Sequence, residues 1–253
     1  MTEVKVDKRV IMLPGSWNEL SREQYEFVCG LLLEGLSEEL YKLRLMRYFM
    51  DMPLKLFKPV DIYAIEEQLG FLCKEPDITY NKYSELSIKG KSYYGPADML
   101  EDITLIEFAR ADQRFLEYVA NKDEKDLNEL IAVLWRRRKM FIGFQRLFRI
   151  WDGDYRVRFQ DYMTYQNSNI FARLPQRKKF AIFLWYAACR KRIIEIFADV
   201  FDGEKDKDSK EYGWGDIIID LAGDKFGTID KTANTLLFTI LMYLRNNKKK
   251  EEV

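Results

Sequence analysis

The sequence contains no histidine in its 253 residues. That absence excludes Ser-His-Asp and Cys-His catalysis, histidine-ligated zinc and a histidine general base together. An enzyme would be left with carboxylate, lysine or tyrosine chemistry, or a carboxylate-bound metal. Cysteine is scarce: Cys29, Cys73 and Cys189 stand far apart and form no CxxC pair, so neither a zinc knuckle nor a redox motif is indicated. The start "MTEVKVDKRVIMLPG" has no apolar h-region, and with an odd thiol count this sets the expectation of reduced cysteines and a cytoplasmic location. Long apolar runs are missing too. "FAIFLWYAAC" (180–189) and "LLFTILMYL" (236–244) reach about half a membrane-spanning length, so no membrane association is expected. No GxxxxGK[ST] loop, no GxGxxG after a strand and no twelve-residue calcium loop occurs, so no cofactor and no enzymatic activity are expected.

What is present is a well-mixed globular composition, 47% hydrophobic and 32% charged, with only six prolines. "KRVIMLP" (8–14) fits a strand closed by Pro14-Gly15. "SWNE" and "SREQ" both match a capping box ahead of the stripe Tyr25, Val28, Leu32, and Ser37 caps a second helix carrying Leu40, Leu43, Met46 and Tyr48. A third helix is expected over 60–73 and a small hairpin over 83–95 around Lys89-Gly90-Lys91. Strong helical periodicity runs through 99–123, with Leu105, Phe108, Asp112, Phe115, Leu116 and Val119, and continues in "KDLNELIAVLWRRR". It weakens over 140–179, where "YRVRF" suggests a hairpin or an irregular insertion. A largely buried helix is expected over 177–201, then an exposed charged loop at 202–213, helices at 214–223 and 229–245, and a flexible tail at 246–253. The fold class is mainly α: a compact multi-helix domain over 1–253, or two packed lobes of about 1–97 and 98–245, with one N-terminal strand and one or two small β-hairpins.

Charge is balanced overall but not along the chain. Between Trp135 and Arg192 stand fifteen basic residues and three acids, and the rest of the chain carries the compensating negative charge. Arg136, Arg137, Arg138, Lys139, Arg146, Arg149, Arg177, Lys178, Lys179, Arg190, Lys191 and Arg192 form a candidate patch for an anionic partner. Interleaved with Phe141, Phe144, Phe148 and Trp151, they suit phosphate contacts and base stacking. The competing structural reading makes those aromatics the buried face of a helix whose arginines pair with acids of the 98–130 segment or with an acidic partner. Asp112 reads as a hydrogen-bonded core contact. Asp216, Asp220 and Asp224 admit a metal reading, but a helix start, a solvated position and a glycine stop at Gly223 account for them, and no metal site is expected.

The stretches "PGSWNELSREQY", "DITLIEFARADQRFLEYVANKDEKDLNELIAVLWR", "FLWYAACRKRIIEIFADVF" and "GWGDIIIDLAGDKFGTIDKT" together resemble uncharacterised tail-morphogenesis, tail assembly chaperone-like proteins of tailed bacteriophages and prophages. Where that family reads Leu-Tyr-Arg-Pro, this chain has "LWRRRKM" (134–140), so the basic patch is its own. The resemblance implies a non-enzymatic interaction protein of tail assembly or virion structure. Its partner would be another phage structural or tail protein, in the host cytoplasm or the virion. The alternative is a nucleic-acid-proximal connector or binder using 135–192.

Overall fold

The computed structural model describes residues 2–6, 9–50, 59–148, 153–201, 214–223 and 225–251. Helices dominate, as expected, and the chain divides into two units: Met1–Lys82 with Pro175–Ala188, and Tyr83–Leu174 with Cys189–Val253.

In the first unit, β1 (Thr2–Val6) pairs antiparallel with β2 (Arg9–Leu13), so the expected N-terminal strand has a neighbour that the sequence did not reveal. Helix α1 (Arg22–Leu33) starts at Ser21, whose hydroxyl accepts from the Gln24 amide while the Gln24 side chain accepts from the Ser21 amide. Helix α2 (Glu38–Met50) buries Tyr41, Leu45, Phe49 and Met50, whereas Leu40, Leu43 and Tyr48 of the expected stripe are exposed. Tyr41 sets that phase, because its buried hydroxyl donates to the Leu72 carbonyl at 2.9 Å. Helix α3 (Pro59–Leu69) follows, continued by a 3-10 turn over Gly70–Cys73.

Pro175–Ala188 belongs to this unit for two specific reasons. The Tyr25 hydroxyl donates to the Ala181 carbonyl at 2.7 Å, and the Trp185 indole donates to the Thr79 carbonyl at 3.0 Å. Each bond joins residues far apart in sequence.

In the second unit, β3 (Glu85–Ile88) and β4 (Lys91–Tyr94) form the expected hairpin. Lys89 (φ +49°) and Gly90 (φ +72°) close it with both central residues left-handed, matching the right-handed strand twist. β5 (Arg136–Arg137) adds to β4. Trp135 covers Gly95, where a Cβ would lie 2.5 Å from the indole, and its N–H donates to the Tyr83 carbonyl at 2.7 Å. Helix α4 (Leu105–Asn121) packs on α5 (Glu124–Leu134), and α5 packs on a later helix over Asp161–Phe171.

Helix α6 (Ile142–Leu147) precedes that helix, which becomes α7. Its inward residues include Thr164 and Ser168 beside Phe171, so an apolar period is too faint to announce it. Helix α8 (Gln176–Ile196) runs through both units, and α9 (Ala198–Phe201) and α10 (Trp214–Leu221) follow it. The expected loop at 202–213 lies outside the described residues.

The helix expected over 229–245 is two, α11 (Ile229–Ala233) and α12 (Leu237–Glu251). The break lets the Leu105 amide donate to Thr235 and the Leu237 amide to Ile103, at 2.9 and 3.0 Å. α12 also runs on through most of the segment expected to fray. Its Lys248 ammonium donates to the Asp199 carbonyl, and cations suit a helix C-terminus. Among the described residues no helix is long and apolar enough to cross a membrane.

Thiol accessibility provides a test of this packing. Cys29 and Cys189 are buried, and burial pushes the Cys29 thiol up to about 12; Cys73 is exposed, although partial burial raises its thiol as well. At neutral pH the folded chain is expected to take one alkyl group, at Cys73, and three after denaturation, as read by intact mass. Rapid native labelling of Cys29 would contradict the packing of α1.

Candidate functional site

The basic segment separates into cations that the fold consumes and cations that it presents. Strand alternation at β5 turns Arg136 inward and Arg137 outward. Arg136 is 5% exposed and Arg156 1%, so both require nearby carboxylates.

Glu107 supplies the central one. Its Oε1 lies 2.5 Å from Arg136 and its Oε2 3.6 Å from Arg156. Asp154 adds contacts of 3.0 Å to Arg156 and 3.6 Å to Arg136, and Asp102 one of 3.3 Å to Arg156. Arg156 also donates to the carbonyls of Asp102 and Leu134. Arginine pairing with acids of the 98–130 segment therefore holds for these two. Burial holds the Asp102 carboxyl above the ordinary aspartate range, against the pull of Arg156. A raised folded value means that the folded chain keeps this proton more tightly. Asp102 therefore subtracts stability at neutral pH, and that penalty fades as pH falls through its folded value.

These contacts correct the sequence-level patch residue by residue. Arg136 is removed from the surface by Glu107, and Lys179 by burial in the first unit. Arg190 is tied to Asp112, which also accepts from the Trp214 indole at 3.3 Å, so the expected core contact of Asp112 exists with partners on α8 and α10. Lys178 lies 3.7 Å from Glu26, Arg192 3.2 Å from Glu195, and Arg177 across Gly30, while Lys191 is exposed. Arg149 and Trp151 lie outside the described residues. Arg177–Lys179 belong to the first unit and Arg190–Arg192 to the second. What remains together is Arg137, Arg138, Lys139 and Arg146.

Arg137, Arg138 and Lys139 lead into an excursion of the chain, and Arg146 stands on it. Its base is closed where the Lys139 amide donates to the Tyr155 carbonyl and the Val157 amide to the Arg137 carbonyl, each at 2.8 Å, with Arg138 bridged to Arg156. The excursion carries α6. Contrary to the reading of a buried aromatic face, Phe141 is 75%, Phe144 60% and Leu147 77% exposed, and Met140 and Phe148 are open as well. The rings of Phe144 and Phe148 lean on each other, 4.4 Å between centroids. Phe141 enters α6 with φ +59°, a left-handed conformation costly for a side chain with a Cβ. Periodicity disclosed an apolar face here without disclosing that it stands exposed.

Asp216 and Asp220 are exposed on α10, and Asp224 lies outside the described residues. Gly223, at φ +110°, follows the end of α10, as the glycine stop requires. Among the described residues no group of three or more cysteine or acidic side chains could hold a metal. Comparison with protein-family models, curated proteins and solved structures finds no match.

The buried and exposed ion pairs should differ sharply in weight. Glu107→Gln leaves two enclosed guanidiniums short of a charge and is expected to cost about 3 kcal/mol. Asp230→Asn, which removes the exposed partner 2.7 Å from Arg158, should cost less than about 1 kcal/mol. Urea denaturation of both variants checks the contrast, and equal losses would contradict it.

Proposed function

We propose that the chain is a non-enzymatic interaction protein that serves phage or prophage tail assembly or virion structure by binding a partner protein through α6. One observation carries the binding role: large apolar side chains, Met140, Phe141, Phe144, Leu147 and Phe148, stand exposed on a single short excursion. Scattered surface leucines are ordinary, but clustered aromatic and aliphatic groups beside cations are the composition of a docking surface. The tail-assembly class rests on the resemblance of the four stretches described above.

Nucleic-acid contact is the second reading. It is favoured by Arg137 and Arg138, which are exposed over tyrosine rings at the base of the excursion that carries Phe141 and Phe144, and have no carboxylate partner among the described residues. Such a surface would bind with steep salt dependence.

Co-expression with the proteins encoded beside this chain, followed by pull-down, tests the first reading. Capture of a tail protein is expected, with capture lost in the double variant Phe144→Ser/Leu147→Ser, whose stability should stay within about 0.5 kcal/mol of the parent. No association with any neighbouring product sinks the tail-assembly role. Phe141→Gly should raise stability by up to about 1 kcal/mol while weakening capture. The second reading falls if single- and double-stranded DNA and RNA all fail to bind at low salt.

A further inference from the structure

Resting on the docking role proposed for α6, we infer that its occupant is an acidic segment of another protein, with apolar anchors flanked by carboxylates. The argument lies in how the arginines of the second unit are neutralised. Arg114 meets Glu129 at 2.9 Å, Arg110 meets Asp161 at 2.9 Å and Arg158 meets Asp230 at 2.7 Å. Arg136 and Arg156 share Glu107.

Arg137 and Arg138, like the exposed Arg173 of the same unit, break this pattern. Arg137 lies 6.0 Å from the Tyr93 ring, and Arg138 lies 6.0 and 5.6 Å from the rings of Tyr94 and Tyr155. Among the described residues neither meets a carboxylate. Arg146 also lies over the Tyr155 ring, 5.4 Å from its centroid, and donates to its hydroxyl at 2.5 Å. Two guanidiniums therefore share one tyrosine. The adjacent acid, Asp154, is already engaged by Arg136 and Arg156.

A ring holds an arginine in place without cancelling its charge, so the forks stay available for bidentate contact with carboxylates. The same surface argues for a protein over a nucleic acid. Leu147 and Met140 are about three-quarters exposed, and aliphatic groups offer base faces little, whereas they pack well on the apolar side of an amphipathic segment.

A peptide-display selection on the intact, immobilised chain tests this. Recovered peptides should be enriched in Asp and Glu beside Leu, Ile, Phe or Met. Their affinity should fall about tenfold or more for Arg137→Gln/Arg138→Gln, with a marked loss of salt dependence. They should not bind Phe144→Ser/Leu147→Ser. Peptides that need Phe144 and Leu147 but show no acidic bias, and bind the arginine variant equally well, would overturn the inference while the docking role stands. If no recovered peptide depends on α6, both fall. A single DNA strand of about twenty nucleotides that binds at physiological salt more tightly than the best peptide, through the same two arginines, would overturn the inference in favour of nucleic acid.

Discussion

Glu107 is the residue on which the second unit turns. Its side chain closes the capping box of α4, accepting from the Thr104 amide, while Thr104 accepts from the Glu107 amide, both at 3.4 Å. The same carboxylate neutralises Arg136 and lies within reach of Arg156. Withdrawing two guanidiniums from water costs several kcal/mol each, and only charged, hydrogen-bonded partners offset that. The start of α4, the outer strand β5 and the returning segment at Asp154–Arg156 are thus constrained by one group. An apolar residue at 107 would loosen three parts of the unit together, whereas glutamine could still close the cap.

That constraint also fixes the site. Arg136 and Arg156 sit at the base of the excursion carrying α6, one residue away from Arg137 and Tyr155, which face outward. Because the inward arginines are locked, the outward ones project from a defined frame. The adjacent arginines obey one electrostatic rule with two outcomes. Where water is excluded, a carboxylate is compulsory; where water remains, an aromatic shelf suffices, and the charge is left for something else to meet.

The legible parts of the sequence were those specified by local chemistry. Ser21 and Gln24 announced α1, the Lys89-Gly90 pair announced a hairpin whose turn needs two left-handed residues, and Gly223 announced the end of α10. The parts that stayed hidden depend on distant partners. The phase of α2 follows from Tyr41 reaching Leu72, and α7 buries threonine and serine where an apolar stripe would be sought. The site was half legible. A run of arginines beside phenylalanines marked the region, but which arginines are interior depends on Glu107, some thirty positions away in sequence. Phe141, Phe144 and Phe148 have the spacing of a buried face, and spacing cannot say what covers it.

Phe141 brings the two costs of the site to one position. Its left-handed backbone disfavours any side chain with a Cβ by about 1 kcal/mol, and its ring is three-quarters exposed. Folding gains from neither: glycine would remove the strain, and serine at 144 or 147 would remove exposed apolar surface without emptying any core. Positions where local rules and stability disagree in this way are where function is expected to reside. The disagreement ends once another surface covers α6. The exposed rings then become buried area, and the strained turn becomes the geometry that presents them.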